Sequence, residues 1–208
     1  MVKIMMTAQD IHEMNDVSNL LASGLSLNAE NTTGLPLEVA QALAEARDQM
    51  ASLPEVIDNL NLAFERFNTV SSALNRMIGL AEEASGDLSD EARQDLNEEF
   101  VTLAKILAAD AGRQYYAGPR LNLLNQGEAL SAARIIRYMN PVIDNMNRDL
   151  MEQRDLIHEV LGETINFLGV VAQCYPDSAG AARLGKLISE AAARGRFTPA
   201  SAAGGLLH

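Results

Sequence analysis

A heptad pattern of apolar residues runs from position 56 to position 81 without a slip. Its members recur at alternating steps of three and four residues: Val56, Leu60, Ala63, Phe67, Val70, Leu74, Met77 and Ala81. Such a stripe lies on one face of an α-helix and predicts a coiled-coil seam. Full burial of one such large side chain stabilises a fold by about 1.5–3 kcal/mol before entropic costs. A second helix must therefore lie along this one.

Helical periodicity extends over most of the remaining sequence. Residues 92 to 111 form one predicted helix, and residues 129 to 173 form a single long helix with a modest kink at Pro141. The apolar stripe of the 92–111 helix includes Ile106. The stripe of the 129–173 helix begins with Leu130, Ala133, Ile136, Asn140, Ile143 and Met146. We predict that the intramolecular seam is built from Leu60, Phe67, Leu74, Met77, Leu96, Phe100, Leu103, Ile143, Leu150, Ile157, Leu161 and Leu168.

Shorter helices are predicted over residues 7 to about 27, from Pro36 onwards and over residues 181 to 194. The first should break at Ser23-Gly24. At Pro54 two interpretations stay open: a new helix with Ser52 as its N-cap, or one continuous helix kinked by the proline. Residues 112–119 are punctuated by glycine and proline and predict an irregular connection.

The composition supports this pattern. Aromatic residues make up 4% of the 208-residue chain, and it has no tryptophan. β-sandwiches favour aromatic and β-branched residues, whereas long helices packed along narrow seams use Ala, Leu, Ile and Met. We therefore predict an all-α fold, an elongated antiparallel helical bundle or coiled coil. Its parts would be an N-terminal helix and connecting loop (1–35), a coiled-coil core (36–173) and a divergent Ala/Gly-rich segment with a flexible end (174–208).

The formal net charge of −12 indicates which partners to expect. An acidic surface repels phosphate backbones and anionic lipid headgroups, so we expect neither nucleic-acid binding nor membrane insertion. No apolar run approaches the roughly 20 residues that span a bilayer. The apolar start, Met1 to Thr7, is too short for a secretory signal, so we expect any export to proceed without a cleaved signal peptide.

The sequence offers no catalytic, cofactor-binding or metal-binding constellation that we would assign. Asp155, His158 and Glu159 could share one helix face, but a bundle metal site needs a second such pair from another helix. We therefore expect His158 to lie on a solvated face. Cys174 is the single cysteine and is expected to be a half-buried helix-end residue. The chain is predicted not to be an enzyme.

Several segments, in order, resemble bacterial flagellin. Leu21-Ala22-Ser23-Gly24-Leu25-Ser26-Leu27-Asn28 is similar to the flagellin run Leu-Ser-Ser-Gly-Leu-Arg-Ile-Asn, and Ser71 to Ala81 is similar to the run ending Leu-Gln-Arg-x-Arg-Glu-Leu-Ala. Arg93, Leu96, Glu99, Leu103 and Ile106, followed by Tyr116-Ala117-Gly118, resemble the helix that leads into Phe-Asn-Gly. Residues 140 to 168 resemble the returning C-terminal core helix. The chain departs from the family pattern at Ile78 and Gly79, where flagellins carry Arg and Glu.

The resemblance implies a flagellin-like helical core without the variable outer domains. It implies a structural subunit of the bacterial flagellum, outside the cell, that assembles with its own copies or with other flagellins. Its further partners would be the flagellar export machinery and a secretion chaperone. Arg76 and Leu80 match positions on the surface that flagellins use for subunit packing and for recognition by an innate receptor. The alternative is a non-polymerising flagellin-like adaptor or a hook–filament junction protein.

Overall fold

The computed structural model describes residues 6–25, 32–110 and 121–194, and this part of the chain is helical, with no strand. Its helices are α1 (Ala8–Gly24), α2 (Leu37–Ala84), α3 (Asp90–Asp110), α4 (Gln126–Arg137), α5 (Asn140–Cys174) and α6 (Ala179–Arg194). The predicted all-α helical-bundle class is confirmed. None of the described helices is long and apolar enough to cross a membrane. The predicted connection at 112–119 and the C-terminal end beyond residue 194 lie outside the described residues.

Side chains at the helix starts satisfy backbone N–H groups that have no partner within the helix. The Thr7 hydroxyl accepts from the Asp10 amide at 3.2 Å, and the Asp10 carboxylate accepts from the Thr7 amide at 2.7 Å, which completes a capping box. Asn125 caps α4 by accepting from the Glu128 amide at 2.9 Å. The Ser89 hydroxyl accepts from the Ala92 amide at the start of α3. These polar residues explain where the three helices begin.

Pro54 lies inside α2, which is continuous over 48 residues. The Ser52 hydroxyl donates to the Gln49 carbonyl at 2.8 Å, a bond back into the same helix and not an N-cap. Of the two interpretations left open by the sequence, the continuous helix is therefore the observed one. The other interpretation, a new helix with Ser52 as its N-cap, is excluded.

The predicted single helix over residues 129–173 is also wrong, because the structure divides it into α4 and α5. Tyr138 and Met139 form a turn between them, and the Tyr138 amide donates to the Arg134 carbonyl at 3.2 Å. Pro141 is the second residue of α5. Proline lacks an N–H and is tolerated in a first turn, where that N–H would have no helical partner. Pro141 therefore marks the start of a helix and not a kink within one.

The described residues fall into two compact units, whose boundary lies within α2 and within α5. Unit 1 comprises the described residues of Leu62–Leu150, which hold the end of α2, α3, α4 and the start of α5. Unit 2 comprises the described residues of Met5–Asn61 and Met151–His208, which hold α1, the start of α2, the end of α5 and α6. The three-part division drawn from the sequence stays a prediction.

Most of the predicted seam residues are buried in these units. Leu96 and Leu103 are half-buried, and the others are at most 4% exposed: Leu60, Phe67, Leu74, Met77, Phe100, Ile143, Leu150, Ile157, Leu161 and Leu168. Four stripe positions were assigned wrongly, since Val56, Ile106, Leu130 and Asn140 are exposed. At three of them an adjacent residue is buried instead, namely Ile57, Leu107 and Ala129. Neighbours along a helix point about 100° apart, so the period alone does not choose between two adjacent apolar residues.

In unit 2, α1 packs against α6. A Cβ placed on Gly24 would lie 2.4 Å from Leu187 Cδ1, so the missing side chain is what lets the two helices approach. Ser18 of α1 is also buried, and its hydroxyl donates to the Met50 carbonyl of α2 at 3.4 Å.

Candidate functional site

The two resemblance segments on α2 and α3 are joined by an ion pair in unit 1. Arg76 Nε donates to Glu99 Oε1 at 2.6 Å, and Arg76 Nη2 donates to Glu99 Oε2 at 2.7 Å. Both side chains are about half exposed, at 51% and 44%. A bidentate arginine–carboxylate pair fixes the orientation of both groups. It therefore links α3 to α2 at the surface of unit 1.

The same contact shifts the titration of both side chains. The hydrogen bond to Glu99 raises the pKa of Arg76, and the hydrogen bond from Arg76 lowers the pKa of Glu99. Glu99 therefore keeps its negative charge to a lower pH than a free glutamate does. The pair persists throughout the neutral range.

Leu80 lies one turn after Arg76 but is fully buried inside unit 1. Its predicted place on a surface used for subunit packing or receptor recognition is therefore corrected, because the side chain is not accessible. A leucine on a heptad-containing helix was as compatible with the core as with a surface. Of the two carried-over candidates, only Arg76 reaches the surface.

A second polar feature lies at the end of α2, where Arg93 enters from α3. Arg93 is 8% exposed, and its guanidinium donates to the carbonyls of Ala84, Gly86 and Leu88, the last at 3.2 Å. The last carbonyls of a helix have no intrahelical partner, and a cation there is favoured by the helix dipole. Sequence reasoning assigned Arg93 no structural role. The sequence feature that could have indicated this capping role is an arginine a few residues after the α2–α3 turn.

The start of α4 is attached to the same turn. The buried Asn97 side chain accepts from the Leu123 amide at 2.7 Å, and Gln126 Nε2 donates to the Ser85 carbonyl at 2.8 Å. Arg137, at the other end of α4, pairs with Glu82 of α2. Side-chain hydrogen bonds therefore hold α4 against α2 and α3 at both of its ends.

A groove of 460 Å³ lies beside the arginine-bearing segment of α2. It is lined by Ser71, Leu74, Asn75, Ile78, Arg137, Asn140, Ile143 and Asp144. The polar lining groups are hydroxyl, amide, carboxylate and guanidinium groups, which can donate and accept hydrogen bonds. The groove contains no histidine or cysteine.

The described parts of the chain hold no cluster of three or more His, Cys, Asp or Glu side chains suited to a metal ion. His158 is half-buried, so its predicted solvated position is wrong. Burial and Arg154 lower the pKa of His158, while Asp155 and, from α1, Asp10 and Glu13 act in the opposite direction. Cys174 is exposed at the end of α5, not half-buried as predicted.

No protein-family model matches this chain, and no curated protein or solved structure matches it significantly. The resemblance to flagellin therefore stands on the sequence segments quoted above. It stays a prediction.

Proposed function

We propose that this chain is a non-enzymatic structural subunit of the flagellin type, which self-associates through the outer faces of its helices. The observation that carries the proposal is the Arg76–Glu99 pair. Ser71 to Ala81 and the segment from Arg93 to Ile106 were matched to the family separately, on sequence alone. They lie on adjacent helices, and their charged residues meet at 2.6 Å.

Exposed apolar side chains on α4 and its C-cap support self-association. Leu130 is 49% exposed and Tyr138 is 83% exposed, and Arg134 is exposed on the same side of the helix. Large apolar groups beside a cation are typical of surfaces that bind another protein. If the same contact repeats between successive copies without closing into a ring, a helical filament results.

The cellular setting of the proposal comes from the resemblance. A flagellin-type subunit would be exported by the flagellar export machinery, with a secretion chaperone, and would assemble outside the cell on the flagellum. The absence of tryptophan and the single cysteine suit a chain that crosses a narrow channel unfolded. Flagellar genes beside the gene for this chain would support the assignment independently.

Filament assembly tests the proposal. We expect concentrated protein to form regular filaments that sediment and are visible by electron microscopy. The double substitution Leu130→Ser and Tyr138→Ser should reduce assembly, whereas Leu37→Ser, at a side chain 74% exposed in unit 2, should not. All three side chains are exposed, so the variants should fold. Protein that stays monomeric or dimeric at every concentration would refute self-assembly.

The second candidate is a non-polymerising flagellin-like adaptor or hook–filament junction protein. The observations that favour it are Ile78 and Gly79, which replace charged residues of the family motif, and the burial of Leu80. A persistent monomer that binds a different protein would support this candidate.

A further inference from the structure

The part of α5 in unit 2 carries a second apolar stripe besides its buried one. Leu156 and Val170 are 60% and 58% exposed, and Val160 and Phe167 between them are half-buried. Their spacing places all four on one face of the helix. The buried face of the same stretch is formed by Ile157, Leu161, Thr164, Ile165, Leu168 and Val171. Packing among the described residues of unit 2 therefore leaves these four apolar side chains partly or largely exposed.

A groove of 270 Å³ opens beside this stripe, where α2 borders α5. Its lining residues are Ala42, Glu45, Ala46, Gln49, Glu163, Thr164 and Phe167. Two alanines on α2 leave space opposite the Phe167 ring, because their side chains are short. The groove can therefore receive an apolar side chain from a partner.

The two charged residues that line the groove are both acidic. Glu45 lies on its α2 side, and Glu152 and Glu159 are exposed on α5 beside the stripe. Glu163 lies within the stripe, three residues after Val160 and four before Phe167, and is also exposed. The sequence has no Lys or Arg over residues 155–174 of α5. On α2 the nearest cation in sequence is Arg47, which does not line the groove and pairs with Asp48. The surface of α4 differs, since Arg134 and Arg137 are exposed there. Exposed apolar side chains interspersed with glutamates are thus a local feature of this surface of unit 2.

We propose that this acidic groove (the stripe Leu156, Val160, Phe167 and Val170 with the groove-lining glutamates Glu45 and Glu163) binds a basic amphipathic helix of another protein. Apolar residues of that helix enter beside Phe167, and its Lys or Arg side chains pair with the two glutamates. Grooves of this kind take helices whose anchors recur at i, i+3, i+4 and i+7. Charge complementarity excludes wrong partners and fixes the register.

Charge is also the reason to assign a different protein and not a second copy of this chain. A copy carries a net charge of −12, and its own matching face is acidic. Two such faces would repel each other. The inference goes beyond the proposed structural role, and it holds or fails independently of filament formation.

Peptide binding to the full chain tests the proposal. The probe is a synthetic helix of about 18 residues, five turns, with leucines on one stripe and lysines on both flanks. Two matched controls replace every lysine by glutamate or every leucine by serine. We expect saturable 1:1 binding of the Lys/Leu peptide in titration calorimetry, weakened by added salt because screening acts on exposed charges. Neither control peptide should bind.

Variants of the chain locate the binding site. Glu45→Lys with Glu163→Lys should weaken binding about tenfold, since two exposed attractions become repulsions, and should permit binding of the Glu/Leu peptide. Leu156→Ser with Val170→Ser should weaken binding without altering the helical circular dichroism spectrum. Asp95→Lys with Glu98→Lys, which changes net charge equally on α3, should leave the affinity unchanged.

Three results would overturn the proposal. One is the absence of saturable binding by the Lys/Leu peptide. Another is equal weakening by the α3 control variant, which would show attraction to net charge alone. The third is a dimer of the unmodified chain, seen by sedimentation equilibrium, that Val170→Lys abolishes. That result would assign the stripe to a second copy.

Discussion

Arg93 of α3 forms the C-terminal cap of α2, although it belongs to the next helix. Its guanidinium donates hydrogen bonds to three backbone carbonyls in the turn that leads from α2 into α3. Glycine and local turns usually provide such caps. Here a side chain from the following helix takes part, which makes the end of α2 dependent on the position of α3.

We predict that Arg93→Met destabilises the protein by about 2–3 kcal/mol. Methionine keeps an apolar stem but leaves buried carbonyls without the charged donor, and hydrogen bonds to charged groups are worth about 1.5–3 kcal/mol. Urea unfolding followed by circular dichroism measures the change. Gln94→Met, at the exposed neighbouring position, should stay within about 0.5 kcal/mol of the parent protein. Equal stability of the two variants would contradict the capping role.

His158 makes stability depend on pH in a defined direction. Its folded-state pKa is lowered, so the folded protein binds this proton less readily than the unfolded chain does. Stability should therefore be full above the unfolded-state pKa of about 6.5 and should fall as the pH drops from there through the folded-state pKa. Denaturant unfolding at a series of pH values tests this. In His158→Gln the decline over that window should disappear, and an unchanged decline would assign it to other groups.

Glu99 gives a pH dependence of the same direction in a more acidic range, since its folded-state pKa is also lowered. Because Arg76 lowers its pKa, the pair stabilises the protein above the unfolded-state pKa of about 4.3, and this stabilisation is lost as the pH falls through the folded-state value. We expect Glu99→Gln to lower the melting temperature at pH 7 but not at a pH where the parent glutamate is protonated. A lowering that is equal at both pH values would show that the ion pair is not its cause.

At the scale of the helices, small residues decide which elements pack closely. In α1 the absence of a Cβ at Gly24 makes room for Leu187 of α6, which is 7% exposed. In α4, Ala129, Ala132 and Ala133 form the buried face while Leu130 points outward. Short side chains permit close helix approach, so they can be buried in preference to a larger neighbour.

We predict opposite effects of the same substitution at two glycines. Gly24→Ala should destabilise the protein by about 1 kcal/mol, because overpacking of a well-packed contact costs roughly 1–3 kcal/mol and the better helix propensity of alanine offsets part of it. Gly185→Ala in α6 has no atom within 4 Å of the added Cβ. It should stabilise the helix by about 0.5–1 kcal/mol.

Thermal or urea unfolding of both variants measures these effects. In a Leu187→Ala background the penalty at Gly24 should vanish, since the clashing atoms are gone, and the cycle would then show coupling between the two sites. If Gly24→Ala stabilised the parent chain, the Leu187 side chain would have to move away from the added Cβ without loss of stability, which would contradict the prediction.

The sequence predicted the helices well and their packing less well. Periodicity located α1, α3 and α6 to within a few residues, because each is bounded by polar caps or turn residues. It did not choose between Val56 and Ile57 or between Ile106 and Leu107, because adjacent apolar residues fit the same period and only the neighbouring helix decides. The break at Tyr138 was missed since no glycine marks it. The Arg76–Glu99 pair, 23 residues apart, depends on tertiary register, which a local pattern does not contain.

At the scale of the whole molecule, charge is the dominant surface property. An excess of 12 negative charges destabilises a compact state through self-repulsion. We predict that moderate salt raises the melting temperature, because screening weakens repulsion between like charges over distances beyond about 10 Å at 0.1 M salt. Differential scanning calorimetry in low and moderate sodium chloride tests this. A lower melting temperature in salt would mean that attractive pairs such as Arg76–Glu99 outweigh the repulsion.

Cys174 offers a practical route to these questions. It is the sole thiol of the chain, it is exposed, and it follows Val170 by one helical turn at the end of α5. A maleimide fluorophore would react at this cysteine alone, because the chain has no other thiol, so each molecule would carry a single dye. The emission of the dye would change when a partner binds beside Val170. Its fluorescence anisotropy would report the size of the complex that forms.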